Sequence, residues 1–275
     1  MSGADRWSGG DAYERYVGRW SRLVAPIFVD WLAIGPGRRW LDVGCGTGAL
    51  TTTVLARADP ASIVGIDPSA DFVAHASQRV GDPRARFAVG DAQAIPLDAG
   101  SVDVVVAGLV LNFVPDPAAG LAEIVRVAAP GATVAGYVWD YAEGMQLMRH
   151  FFDAAIALDP AAMAEDEGVR FPICAPEPLE AEFVGAGLHA VKVRAIEIPT
   201  VFESFDEYWS PFLSGVGAAP AFAMRLDEDR RNEIRDRLRA TLPTEPDGSI
   251  HLVARAWAAR GRTTGTRDNA RRSTV

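Results

Sequence analysis

Two hydrophobic periods alternate along this chain. Between residues 11 and 34 the apolar positions Tyr13, Val17, Trp20, Leu23, Val24, Ile27, Phe28 and Trp31 share one stripe at helical spacing, and Gly35-Pro36-Gly37 ends the run. Short apolar runs then recur with helix-forming stretches between them: Trp40 to Val43, Ser62 to Asp67, Ala85 to Val89 and Ser101 to Val114. Strands that alternate with helices as far as Trp139 imply a parallel sheet wound on both faces. A helix is expected from Ala142 to Pro160, carrying Met145, Leu147, Met148, Phe151, Phe152 and Ile156. The pattern then decays from Ala161 to Pro178 into a loop with an acidic patch at Glu165, Asp166 and Glu167.

Leu179 to Ala186 reads as a helix stopped by Gly187, and Ala190 to Ile198 as a sixth strand. Ser204 to Leu213 and Asp227 to Leu242 read as helices, and Ser249 to Trp257 as a seventh strand. The expected layout is a flexible N-terminus over 1–10, a single domain over 11–258 and a disordered basic tail over 259–275. Cap elements fall at 11–34, 142–187 and 201–247.

The densest chemistry lies at the end of the first strand, Trp40-Leu41-Asp42-Val43-Gly44-Cys45-Gly46-Thr47-Gly48-Ala49-Leu50. Glycines at alternate positions let a backbone approach a ligand where any Cβ would collide. The spacing is Gly-x-Gly-x-Gly, not the Gly-x-Gly-x-x-Gly of a dinucleotide site. Beside Asp42 it suits a ligand that carries an amino acid and a nucleoside. Asp67 ends the second strand 25 positions after Asp42, where it can grip both hydroxyls of a ribose. Pro68 and Ser69 open the next helix. The third strand leads to Gly90-Asp91-Ala92-Gln93, where Asp91 can accept from an adenine amino group and Ala92 leaves room for the ring.

These residues resemble the class I S-adenosylmethionine-dependent methyltransferases. The resemblance runs in order from about residue 38 to 140, through Leu41 to Gly48, Asp67, Gly90 to Gln93, the fourth strand at Ser101 to Val114, and the helix and strand from Leu121 to Tyr137. A bacterial small-molecule subgroup is similar over nearly the whole chain, through Tyr13 to Ser21, Val138 to Tyr141, Arg170 to Cys174 and Ala254 to Trp257. The resemblance implies an α/β, doubly wound, seven-stranded and mostly parallel sheet (Rossmann-like) with a helical N-terminal and insertion cap. Its last strand would insert antiparallel between the fifth and sixth. It also implies S-adenosylmethionine as cofactor, held by Asp42, Gly44, Cys45, Gly46, Gly48, Asp67, Pro68, Asp91, Ala92, Gln93 and Leu109. A closing N-terminal helix would add Tyr16 and Arg19, with Tyr13 beside them, toward the cofactor carboxylate or the acceptor.

Charge narrows the acceptor. The chain carries −9, and its last seventeen residues hold five Arg against one Asp, a net +4, so the part before them carries −13. That balance opposes nucleic-acid binding. Two cysteines, Cys45 and Cys174, are too few for a disulfide framework or a thiolate metal site, and no metal is expected. No signal peptide or membrane-spanning run is apparent, so a cytoplasmic protein acting away from membranes is expected.

A sulfonium gives up its methyl group by in-line displacement, so alignment dominates, and a general base is needed only for a poorly acidic acceptor. The candidates for such a role are His150, Asp140 and Tyr141, which follow the fifth strand, while His75, His189 and His251 fall elsewhere. Asn112 and Phe113 lie just beyond the fourth strand, within reach of a transferring methyl group. The row Phe202, Phe205, Tyr208, Trp209 and Phe212 either roofs a pocket for a flat acceptor or packs as core. The expected function is methyl transfer to O, N or C of a small, apolar or aromatic molecule. A non-catalytic nucleoside-binding or partner-binding protein on the same fold is the alternative.

Overall fold

The computed structural model describes residues 18–215 and 217–265. Its elements run, in chain order, α1 (Arg19–Leu32), β1 (Arg39–Val43), α2 (Ala49–Arg57), β2 (Ser62–Asp67), α3 (Ala70–Arg79), β3 (Ala85–Val89), β4 (Val102–Gly108), α4 (Pro117–Val127) and β5 (Ala128–Trp139). There follow α5 (Gln146–Leu158), α6 (Glu167–Arg170), α7 (Pro176–Gly185), β6 (His189–Phe202), α8 (Phe205–Trp209), α9 (Ala218–Arg225), α10 (Glu228–Thr241) and β7 (Ile250–Arg262). The strands make one seven-stranded sheet in the order β3-β2-β1-β4-β5-β7-β6. Strands β3, β2, β1, β4 and β5 pair in parallel. The seventh strand lies between the fifth and the sixth, as the resemblance implies.

Contacts divide the described chain into two compact units, where one domain over 11–258 is expected. One comprises Ala25–Val138, Ala175–Ile196 and the described residues from Trp257 on. Its central strands β1 and β4 read as near-continuous apolar runs because both faces are covered, while β3 at the sheet edge is largely exposed. Leu41, Val105 and Val106 are fully buried. Leu121, Ile124 and Val127 place the apolar stripe of α4 inward, and Phe28 of α1 packs on Tyr137 with centroids 4.8 Å apart. Parallel register aligns the carboxyl ends, since Val43 pairs Ile66 and Ala107, and Asp67 pairs Val89.

The other unit comprises residues 18–24, Trp139–Cys174 and Glu197–Ala256. Its core is aromatic. Phe151 stacks on Phe212 at 4.5 Å, Tyr208 sits against both Phe202 and Phe212, and Trp20 meets Phe202 edge-on. Each such pair contributes about 0.5–1.5 kcal/mol beyond its buried area. Phe202, Tyr208 and Phe212 are completely buried, so this row forms core packing in its unit.

Several boundaries differ from the sequence reading. The fourth strand stops at Gly108, well before Val114, because Leu109 adopts φ +60° and turns the chain into a short 3-10 turn, Leu111–Phe113. The acidic patch, expected in a loop, instead joins a 3-10 turn, Pro160–Glu165, to α6. Asp166 and Glu167 are each 3% exposed, Asp166 caps α6 and its carboxylate pairs with Arg149 at 2.7 Å. Strand β7 continues to Arg262, so the segment expected to begin a disordered tail at 259 starts as paired strand. Ala258 and Ala259 are buried, and Arg260 donates to the carbonyls of Trp31 and Leu32. Helix α9 falls where no helix is expected.

One buried polar contact offers a check on this core. The Tyr208 hydroxyl donates to the Leu147 carbonyl at 2.9 Å. Tyr208→Phe strips the buried carbonyl of that donor, which costs about 1–3 kcal/mol. Thermal denaturation should show a lower midpoint for the variant, and an unchanged midpoint would contradict the contact.

Candidate cofactor site

The site grows out of the aligned carboxyl ends of β3, β2, β1 and β4. At the tip of β1 the chain enters a turn whose three glycines have φ +69° (Gly44), +51° (Gly46) and +82° (Gly48), a region L side chains rarely adopt. A Cβ on Gly44 would stand 2.4 Å from Val110, so that position must be bare for the strand tips to close. A Cβ on Gly46 would meet nothing within 4 Å. The bare backbone there faces open space. The Gly44 and Cys45 N–H groups donate to the Ile66 carbonyl at 2.8 and 2.9 Å, and Gly48 N–H donates to the Cys45 carbonyl, pinning the turn to β2.

Asp67 completes that clamp. It is 7% exposed, and one oxygen accepts from Gly46 N–H at 3.0 Å while the other accepts from Ser69 N–H at 2.9 Å. Sequence reasoning left this carboxylate free for ribose hydroxyls. In the structure it also shapes the glycine turn, and each oxygen keeps a second lone pair for a ligand. Burial pushes its carboxyl above the usual carboxylate range, and the two backbone donors pull it back. Pro68 is exposed beside it, and Ser69 caps α3 by accepting from Phe72 N–H.

Asp42 is buried more deeply, at 1% exposure. One oxygen accepts the Thr51 hydroxyl of α2 at 2.7 Å, and the other has no partner. Burial raises its pKa to about 7, with the Asp67 charge adding to the rise and the Thr51 bonds opposing it. Thr51 escaped sequence reasoning. Its signal was there, since the first turn after a glycine loop must return a side chain toward the strand that precedes it. Cys45 is buried, and its thiol is held far above the ordinary range by burial and then by both carboxylates. An unreactive filler is what that leaves.

The neighbouring tips complete the edge. Asp91 is exposed, and one oxygen accepts from Gln93 N–H at 2.8 Å in a tight turn that leaves Ala92 and Gln93 half-buried. Leu109, half-buried, donates its N–H to the Tyr137 carbonyl at 2.8 Å. Asn112 follows in the 3-10 turn, 7% exposed.

The remaining sequence candidates lie in the other unit. Asp140 is 4% exposed and accepts from Arg255 at 3.1 Å and from Glu143 N–H at 3.1 Å. Tyr141 is buried beside Phe171. His150 is half-buried on α5, and burial lowers its imidazole below the ordinary value. Arg19 is ion-paired with Glu207 at 2.6 Å and lies over the Trp20 and Phe202 rings. Tyr13 and Tyr16 fall outside the described residues.

Comparison with known proteins agrees with this geometry. Residues 41–136 match the family model described as Methyltransferase domain. An uncharacterised methyltransferase of Mycobacterium tuberculosis is 39% identical over 129 residues, which is 47% of this chain and 49% of that protein. A demethylmenaquinone methyltransferase of Beutenbergia cavernae is 37% identical over 110 residues, 40% of this chain and 44% of that protein. The chain thus spans about half the length of the curated relatives it matches. The crystal structure of YcgJ from Bacillus subtilis superposes with a TM-score of 0.60 at 17% identity, covering 90% of this chain and 99% of that one. That likeness shows the fold.

Residues 41–136 thus carry a methyltransferase domain, and S-adenosylmethionine is the methyl donor against which its lining can be tested. The residues present fit that group. The unpartnered buried oxygen of Asp42 suits an ammonium, and the space where a Gly46 Cβ would stand admits a thioether chain against bare backbone.

A pH dependence follows from Asp42. Were Asp42 to take the ligand's ammonium, only its ionised form would pair with it, so affinity for S-adenosylhomocysteine should rise about tenfold from pH 6 to pH 8, across the pKa of about 7. In the ligand-free protein the sign is opposite. A raised pKa means the folded state favours the proton, so stability is complete below the unfolded carboxylate range and falls as pH climbs toward 7. Asp42→Asn should therefore melt higher than the parent at pH 8 yet bind S-adenosylhomocysteine at least tenfold more weakly, by calorimetry. Retained affinity in that variant would remove Asp42 from the site.

Proposed function

We propose that this protein moves a methyl group from S-adenosylmethionine to O, N or C of a small, apolar or aromatic molecule. The observation that carries the reading is the set of three carboxylates, Asp42, Asp67 and Asp91, at adjacent strand ends around one bare-backbone turn. Asp42 would orient the amino-acid end, Asp67 with Gly46 the ribose, and Asp91 with Ala92 and Gln93 the adenine. Gly44, Cys45, Gly48, Pro68 and Leu109 would line the same hollow.

The cofactor supplies an electrophilic methyl on a positive sulfonium. The protein's share is alignment. Held geometry contributes on the order of 7–11 kcal/mol to such a displacement, so no base is obligatory. A cation also suits this edge, where burial raises Asp42 and the Asp67 charge adds to that rise. His150, Asp140 and Tyr141 stay in the reading as candidates for acceptor chemistry. Of these, His150 is held toward the neutral form that can take a proton. The net charge of −9 disfavours a nucleic-acid acceptor, and one relative's name, demethylmenaquinone methyltransferase, supports a low-molecular-weight one.

Incubation with methyl-labelled S-adenosylmethionine and a metabolite extract tests this. Label should enter the low-molecular-weight organic fraction. Recovery of the label in nucleic acid or protein, or no transfer at all, would refute it. Asp67→Ala should weaken S-adenosylhomocysteine at least tenfold, about 1.4 kcal/mol, and bring transfer down with it.

A further inference from the structure

The donor groups of the glycine turn are largely spent inside the protein. Gly44 and Cys45 N–H serve the Ile66 carbonyl, Gly46 N–H serves Asp67, and Gly48 N–H serves the Cys45 carbonyl. The three strand-end carboxylates are acceptors, matched to the ligand's ammonium, ribose hydroxyls and adenine amino group. The ligand's own carboxylate needs donors, and none of these supplies one. Arg19, the cation that the sequence offers for it, spends Nη1 on Glu207 at 2.6 Å and has a buried Nε without a partner.

Among the buried side-chain donors without a hydrogen-bond partner in the described residues, Asn112 belongs to the turn that directly follows the carboxyl end of β4. Asn112 is 7% exposed, and its Nδ2 has no hydrogen-bond partner. A buried unpaired donor is costly, and a leucine of the same size would avoid the cost. Its place in the fold is specific. The turn that holds it begins at Val110, whose side chain fills the position of a Gly44 Cβ, and ends at Val114. Val114 lies 3.1 Å, and Ala92 3.9 Å, from where a Cβ on Gly120 would stand. The turn thus runs from the glycine loop toward the adenine segment. Leu109 bends into it at φ +60°, a conformation costly for a side-chain-bearing residue.

We infer that the Asn112 side-chain amide donates to the α-carboxylate of the cofactor, making Asn112 a binding residue for the amino-acid end. This rests on the cofactor reading above. A hydrogen bond to a charged group is among the stronger ones, so its loss should be large and confined to ligands that carry the carboxylate.

Two commercially available probes separate the possibilities. S-adenosylhomocysteine carries the amino-acid end, and 5′-methylthioadenosine has the same nucleoside thioether without it. By calorimetry, Asn112→Leu should weaken S-adenosylhomocysteine at least tenfold and change methylthioadenosine less than twofold. Asn112→Asp, which sets a like charge against the carboxylate, should weaken the first still more and spare the second. Without ligand, Asn112→Leu should melt above the parent, since the orphaned donor is gone.

Equal losses on both probes, or no loss on either, would overturn the inference while leaving the cofactor assignment standing. A lower melting point with unchanged affinity for S-adenosylhomocysteine would show a purely structural amide and also overturn it. A parent protein that bound neither probe would remove the cofactor reading, and the inference with it.

Discussion

The carboxylate of Asp67 is the constraint on which the carboxyl edge depends. It receives one N–H from the glycine turn after β1 and another from the start of α3, so it ties two loops to the tip of β2. A glycine-rich turn has more conformational freedom to lose than any other segment, and it holds one shape only if something fixes it. Here the Ile66 carbonyl fixes Gly44 and Cys45, and Asp67 fixes Gly46. Bare backbone and an ordered conformation coexist for that reason. The residue that a ligand would read is also the residue that builds the surface where the ligand lies.

That economy has an electrostatic consequence. Burial raises Asp42 to a pKa of about 7, and the Asp67 charge adds to the effect. Ligand-free, the edge stores unfavourable carboxylate energy that Thr51 and the backbone donors offset only in part. A cationic ligand relieves it. On the proposed cofactor reading, a neutral nucleoside would meet the same hydroxyl and amino acceptors without that relief. The open backbone at Gly46, with an unpartnered Asp42 oxygen in the same turn region, adds space to charge at this edge.

Most of this edge was legible in the sequence. The β2 and β3 boundaries agree to the residue, because an acid or a glycine marks each carboxyl end against a β-branched run. The fourth strand was overread by six residues, since Leu109 to Val114 is as apolar as a strand and hydrophobicity carries no sign of a positive φ at Leu109. Sequence reading took Asp166 and Glu167 for part of a loop, because no apolar period runs through that stretch. The Arg149 that pairs with Asp166 lies on α5, seventeen positions earlier, and a linear pattern does not reveal that meeting. Helix α9 was invisible because Gly215, Gly217 and successive alanines blur any period. Donor use was the least legible property. Whether Asp67, Asn112 or Arg19 is free or already committed depends on partners brought together only by folding.

Folding also explains why three distant stretches of the second unit carry distinctive residues. Asp140, just past β5, receives Arg255 of β7, whose guanidinium also reaches Glu197 of β6 at 2.8 Å. Tyr141 packs on Phe171, next to Arg170, whose guanidinium lies over the same ring. Gly144 must be bare because a Cβ there would stand 2.3 Å from Arg255. Glu167 and Asp140 both bear on the buried thiol of Cys174 and raise it, after burial itself. Asp140, 4% exposed, therefore depends on the half-buried Arg255 for its charge partner, and removing that arginine would leave a buried carboxylate unpaired. The Arg255 contact and the packing on Phe171 fix where Asp140 and Tyr141 stand, whereas His150 on α5 is half-buried.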